Sequence, residues 1–486
     1  MKKAVMTIKR GIALVLVTAT CALSLTGCEY ESFDDYLKAL GIKDPMEYSD
    51  DIFEAASVED IHVAEEDVPV PEAEQAAEEI SFDIGTLESS EPEEDAAALE
   101  FSTGEPADIA LEAKYKNASE ADIDENMKAA RVAIGLTDDG IAKLRKQQEG
   151  LYAYEHLTDA GKTLYVEILA TLNSLSKDII VSTTSDDAIE MVFDYVMADH
   201  PEIFYVDGYQ YTNYSVGDTI TKISFTGNYL YDATEVAKRQ AKINEAVHAC
   251  LANAPASEDD YYIIKYIYEY LIANTDYDIG AADNQNICSV FINGKSVCNG
   301  YAKAAQYLLN KMGVSCTLVT GTVNTKNGKD IRHAWNLVLC NNTYYYLDVT
   351  WGDASYQTVS GESADATKLP DVNYDYLNVT TAELLRNHTI SDVIRMPVCN
   401  SMTDNYYVRE DEYFTSAELV LVGDLFDRRY KDGSRNVTIK CASDDIYDAL
   451  FEELITGRKV FEYLQGDTSQ VSYTTFEDTR TIIFWL

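Results

Sequence analysis

Positive charge is what this chain has least of for its size: 38 lysines and arginines stand against 83 aspartates and glutamates in 486 residues, a formal charge of −45. So acidic a surface repels a phosphate backbone, which argues against nucleic acid as a partner. Histidine is scarce, with six in all, at positions 62, 156, 200, 248, 333 and 388, so few imidazoles are on hand for proton transfer near neutral pH. No Cys-x-x-Cys pair or close His–Cys cluster occurs, and no acidic loop has calcium-binding spacing; neither a metal nor a cofactor is expected. After residue 25 no apolar run reaches the roughly 20 residues that a membrane-spanning helix needs. What is present suits a folded protein: 46% hydrophobic residues and 11% aromatic ones, with 35 tyrosines. The length exceeds what one core organises, so two or three domains are expected.

The N-terminus points to export. MKKAVMTIKR carries Lys2, Lys3, Lys9 and Arg10, and residues 11–25 form an apolar run of leader length. The run ends in Leu25-Thr26-Gly27-Cys28, which closely resembles a bacterial lipobox. That resemblance implies cleavage after residue 27, a diacylglycerol on the Cys28 thiol, and a protein held by lipid at the outer face of the bacterial cell membrane. Residues 29–100 then hold 25 acidic residues against two lysines. Such a stretch repels itself and has little to bury, so residues 28–114 are expected to be an extended, solvated tether. Beyond Cys28 seven cysteines remain: Cys250, Cys288, Cys298, Cys316, Cys340, Cys399 and Cys441. An odd number of thiols in an exported chain raises the prospect that one is free for a reason.

Periodicity places an α+β region over residues 115–255. DENMKAARVAIGL and LTDAGKTLYVEILATLNSLSK have helical spacing, DTITKISFTGNYLY alternates as strands do, and a longer helix follows from Ala233. A second region, 256–360, opens with EDDYYIIKYIYEYLIANT, a helix apolar around most of its girth. Next, KSVCNGYAKAAQYLLNKMG reads as a helix burying Ala305, Leu308, Leu309 and Met312 and stopping at Gly313. SCTLVTGTV and HAWNLVLC-NN-TYYYLDVTW read as strands, the last two joined by a two-residue Asn341-Asn342 turn. Residues 361–486 form a smaller α+β tail, with NYYV and TIIFWL as aromatic strands.

Cys298 lies where loop becomes helix, so free N–H groups and the positive end of the helix dipole favour its thiolate. A cysteine nucleophile needs an imidazole to take its proton, and the imidazole needs an acceptor to fix its tautomer. His333 and Asp348 supply both if Cys340 pairs with Thr343, because that register puts His333 and Asp348 on one face as diagonal neighbours. Trp335, Asn336 and Trp351 read as packing and hydrogen-bonding supports. The Cys298 backbone N–H is placed to meet an oxyanion, with Asn299 or Tyr277 as candidate second donors.

VCNGYAKAAQYLLNKMGV, RHAWNLV and YYYLDVTWGD, in this order across residues 258–353, resemble the transglutaminase-like superfamily. The resemblance implies an α+β, papain-like core, with a cysteine-bearing helix packed on an antiparallel sheet, and a Cys298–His333–Asp348 triad. Acyl transfer from a protein or peptide amide, through a thioester, is the implied activity. The substrate would be an extracellular protein or peptide, cell-wall peptide included. Flanking stretches such as ADHPEIFYVDGYQYT also resemble segments that accompany this domain in exported proteins of Gram-positive bacteria. The motifs leave open whether an amine or water resolves the thioester, the latter making a cysteine peptidase or amidase. A non-catalytic surface-binding module is the competing class, although it would have no need of all three residues.

Overall fold

Helix capping sets the frame of the N-terminal part. In this computed structural model, which describes residues 5–9, 107–118, 123–257, 259–325, 328–354, 356, 370–466 and 468–486, most long helices begin at a short polar side chain. Thr158 caps α1 (Asp159–Asn173), Ser185 caps α2 (Asp186–Asp199), and Asp232 caps α3 (Ala233–Leu251). Strands β1 (Val206–Val216) and β2 (Thr219–Tyr229) pair antiparallel around Gly217, and Ile179–Val181 extends the sheet beyond β2. On the other side the backbone of Val5–Lys9 lies antiparallel to β1. These residues fall within the expected leader, whose remainder lies outside the described residues.

The expected tether reaches residue 114, but its last eight residues, Ala107–Lys114, are helical, and Leu111 is fully buried in the main core. The rest of that stretch, with Cys28, the expected lipidation site, lies outside the described residues. The described residues belong to one unit.

The central layer is a helix pair on a sheet. Helix α4 (Asp260–Asn274), capped by Asp259, buries Tyr261, Ile264, Ile267, Tyr268 and Leu271. Helix α5 (Cys298–Lys311) packs on α4 and on two strands, β3 (Cys316–Thr325) and β4 (Gly328–Cys340). It buries Ala305, Leu308 and Leu309 as its spacing requires and ends at Gly313, whose φ of 85° suits glycine. Met312 is half-buried at the C-cap instead of in the core.

β5 (Thr343–Leu347) returns beside β4, and β6 (His388–Ile390) adds to the far side of β3, giving the antiparallel order β6-β3-β4-β5. Asn341 and Asn342 adopt φ of 48° and 63°, values asparagine tolerates, and the pairing runs from Cys340 opposite Thr343 to Asn336 opposite Leu347. Paired strand ends at Leu347, so Asp348 sits one residue beyond the ladder.

The tail folds around its own apolar cluster. Helices α6 (Leu419–Lys431) and α7 (Asp444–Phe451) cover a sheet of β7 (Asn436–Cys441), β8 (Tyr473–Phe476) and β9 (Thr481–Trp485), in which Tyr413–Phe414 runs parallel to β7. The expected NYYV strand is a helical turn, Tyr406–Arg409. Asn405 caps it by accepting the Tyr407 N–H at 3.1 Å, and this local bond outweighs the β preference of the aromatic residues.

Candidate active site

Helix α5 differs from its capped neighbours. Its N-cap is Val297, whose side chain offers nothing to the first-turn N–H groups, so the helix start stays open where Cys298 stands. Gly300, one turn in, fits closely against the preceding loop: a Cβ there would lie 1.9 Å from Ser296 Oγ and 2.8 Å from Ser289 Oγ. Those two hydroxyls bond each other at 2.6 Å and tie the loop that leads into the cysteine. All seven described cysteines are free; six are buried, and Cys298 alone among them is partly exposed.

Strand β4 brings His333 to this helix end, and the turn after β5 brings Asp348. His333 Nε2 lies 2.7 Å from Asp348 Oδ2, with both side chains almost wholly buried, and the His333 ring also hydrogen-bonds Cys298. Burial on its own would push His333 down. The Asp348 carboxylate and the Cys298 sulfur outweigh it and raise His333 to about 10. For Asp348 burial works upward, yet His333 and His388 hold the carboxyl well below the usual carboxylate range. Asp348 Oδ1 also accepts the Trp351 N–H at 3.1 Å, which fixes the carboxylate against rotation.

The supports take different places. Trp335 is fully buried and stacks on His333 with centroids 5.9 Å apart, while Trp351 meets the same ring edge-on at 6.2 Å. Asn336 donates to Ala302 O at 2.9 Å and Thr317 O at 3.4 Å, joining α5 to the sheet. Asn299 turns its amide to Gln285 Oε1 at 2.7 Å. Tyr277 is half-buried beside Cys298, where burial, Cys298 and Asp348 together push its hydroxyl upward.

Sequence reasoning missed three neighbours. Tyr356 stacks on the His333 face at 6.2 Å and meets Tyr277 edge-on at 4.7 Å. Lys303 is fully buried on α5, its Nζ 3.4 Å from Gln285 O; burial pushes it down to about 7 against the pull of Cys298. His388, from the three-residue β6, brings Nε2 to 3.0 Å from Asp348 Oδ2. Its rank among only six histidines was the one available signal. His333, Asp348 and His388 also form a trio whose possible ligand atoms all lie within 4.8 Å of one another. Two imidazole hydrogen bonds to one carboxylate oxygen account for that closeness.

Residues 251–349 match the model of the transglutaminase-like superfamily. Among solved structures, a TGase is 15% identical with TM-score 0.21, covering 30% of this chain and 44% of the other. A proposed cysteine protease from Cytophaga hutchinsonii is 14% identical with TM-score 0.21, covering 28% of this chain and 56% of that one. A proposed protease from Parabacteroides distasonis is 10% identical with TM-score 0.18, covering 26% and 28%. The chain thus spans about half or less of the length of these structures. No curated protein matches the sequence. The matched residues contain Cys298, His333 and Asp348 and stop short of His388, so the segment that carries the three is transglutaminase-like, set in a longer mixed helix-and-sheet chain.

Proposed function

We propose that this chain is a cysteine acyl-transfer enzyme acting on protein or peptide amides. The observation that carries the reading is the Cys298–His333–Asp348 arrangement, with the 2.7 Å bond from His333 to Asp348 at its centre. Such an arrangement supplies a nucleophile, a proton carrier and an orienting anion. Cys298 as thiolate attacks the amide carbonyl. The resulting oxyanion lies near the Cys298 N–H at the open start of α5, where helix-end N–H groups stabilise negative charge. His333 as imidazolium then gives its proton to the leaving nitrogen, the C–N bond breaks, and a thioester remains on Cys298. Asp348 holds His333 in the tautomer that presents Nε2–H to the carboxylate and the other nitrogen to sulfur. A second nucleophile, deprotonated by His333, releases the acyl group. With an amine the product is an isopeptide; with water the enzyme is a peptidase or amidase.

The site of action is proposed to be extracytoplasmic, at the membrane surface, through a lipid on Cys28. The leader layout and the Leu25-Thr26-Gly27-Cys28 sequence support this. Replacing Cys28 by serine is then expected to move the protein from the membrane to the soluble fraction; unchanged membrane association would count against a lipid anchor.

Chemistry is tested by incubating the protein with surface proteins and a labelled primary amine. Incorporation that vanishes in Cys298→Ala supports transfer. Ammonia or new chain termini without incorporation, again lost in the variant, support hydrolysis. If neither occurs and an iodoacetamide probe labels Cys298 no faster than an ordinary exposed thiol, a non-catalytic binding module is the better reading.

A further inference from the structure

We infer that His388 is a positioning residue for the reacting pair, acting through Asp348; this rests on the reading of Cys298, His333 and Asp348 given above. Asp348 Oδ2 accepts from His333 Nε2 at 2.7 Å and from His388 Nε2 at 3.0 Å, so two imidazoles share one carboxylate oxygen. All three side chains are at least 97% buried, and water has little access to replace either donor.

His388 is itself closely packed. Its Nδ1 lies 2.6 Å from Asn387 Oδ1, and the Asn387 amide donates to the Tyr376 hydroxyl at 2.7 Å. Trp335 and Trp351 pack on the ring with centroids 5.0 Å away. A ring bonded through Nε2 to Asp348 and packed against two indoles has little room to swing, and it passes that rigidity to the carboxylate.

The backbone makes specific room for this contact. β6 pairs with β3, His388 opposite Val323 and Ile390 opposite Gly321. A Cβ on Gly321 would stand 2.0 Å from the Thr389 carbonyl oxygen and 2.7 Å from the Trp335 ring. Glycine at 321 therefore lets β6 come close enough for His388 to reach across to Asp348. Oδ1 bonded to Trp351 N–H and Oδ2 shared by two imidazoles leave the carboxylate one orientation, the one that presents Oδ2 to His333.

The titratable groups facing His388 are Asp348, His333 and, through Asn387 and by ring packing at 5.7 Å, Tyr376. Behind His333 stands Cys298, and behind Asp348 stands Tyr268. Burial pushes His388 below its ordinary value, with Asp348 opposing and His333 adding to the fall. His388 thus serves as a neutral donor while His333 carries the charge. Losing its N–H would leave more of the carboxylate's charge to His333 but free the carboxylate to turn.

The test compares His388→Gln, whose amide can reach the Nε2 position, with His388→Asn, which is too short, and His388→Ala. Alkylation of Cys298 is followed against pH, alongside thermal melting and NMR titration of the His333 ring. Positioning predicts a rate loss of about tenfold in the Ala and Asn variants, an alkaline titration of His333 displaced from wild type, and recovery of both in the Gln variant. Equal rates and an unmoved His333 titration in all three overturn it. So does a loss that follows melting temperature alone, without Gln rescue. Should Ala fail to fold, Gln against Asn decides. If wild-type Cys298 is unreactive, or His333→Ala leaves its rate unchanged, the acyl-transfer reading fails on its own; the His333 titration still reports whether His388 governs Asp348.

Discussion

Asp348 shows how far one side chain can set the working range of another. His333 reaches about 10 because a buried carboxylate and the Cys298 sulfur favour its charged form over the burial that opposes it. The proposed acylation needs that charge, so activity is expected to hold through neutral pH and to decline as pH nears about 10. Asp348→Asn should bring the decline down toward the ordinary imidazole range and lower turnover on the order of 10⁴-fold, as read from a pH–rate profile. Lys303 gives the opposite case. Its folded value of about 7 lies below the roughly 10.4 of an unfolded lysine, so the unfolded chain binds more protons between those limits. The burden on stability is complete below about pH 7 and fades as pH rises. Lys303→Met should therefore raise the melting temperature more at pH 6 than at pH 9. Cys298, His333 and Asp348 were legible because each lies in a short motif with distinctive neighbours. His388 was not, since it reaches Asp348 from 40 residues away across a fold contact that no local spacing encodes.

Elements deliver those residues, and their fit is tightest where α5 begins. Gly300→Ala would drive a methyl into Ser296 Oγ and Ser289 Oγ. The expected cost is about 1–3 kcal/mol, seen in denaturant melts, with slower Cys298 alkylation as the loop gives way. The β4–β5 hairpin could be read in advance because Asn-Asn tolerates the two positive φ values of a tight turn, and the turn then fixes every facing pair. β6 left no such trace: three residues are too few for alternation to show, and Gly321 opposite makes the strand possible. Tyr406–Arg409 went the other way. Its aromatic composition suggested a strand, and one capping bond from Asn405 made it a helical turn.

At the scale of the whole chain, charge and burial act on different parts. Much of the acidic excess lies in residues 29–100, while the described residues hold a few paired charges inside. The C-terminal sheet has its own apolar cluster and meets the central layer through Lys440, 3.1 Å from Asp375, with Thr479 and Thr481 donating to the same carboxylate at 2.6 Å. Lys440→Met would strand that buried carboxylate. A loss of about 3–5 kcal/mol is expected, with limited proteolysis cutting earlier between the central layer and the tail. His333 acts on stability as well: its contribution is complete below its unfolded value of about 6.5 and is lost as pH climbs toward about 10.

The distribution of sulfur has a practical meaning. Six described thiols are sealed in the interior and a seventh, Cys298, is partly open, so the native protein carries its own count of foldedness. A chain beginning after Cys28 should consume one equivalent of a thiol reagent when folded and seven when unfolded. A reporter can then be attached at Cys298 with no substitution among the seven thiols, and each later thiol that appears registers the opening of a named piece of the interior: Cys441 for the tail, Cys316 and Cys340 for the central sheet, Cys250 for α3.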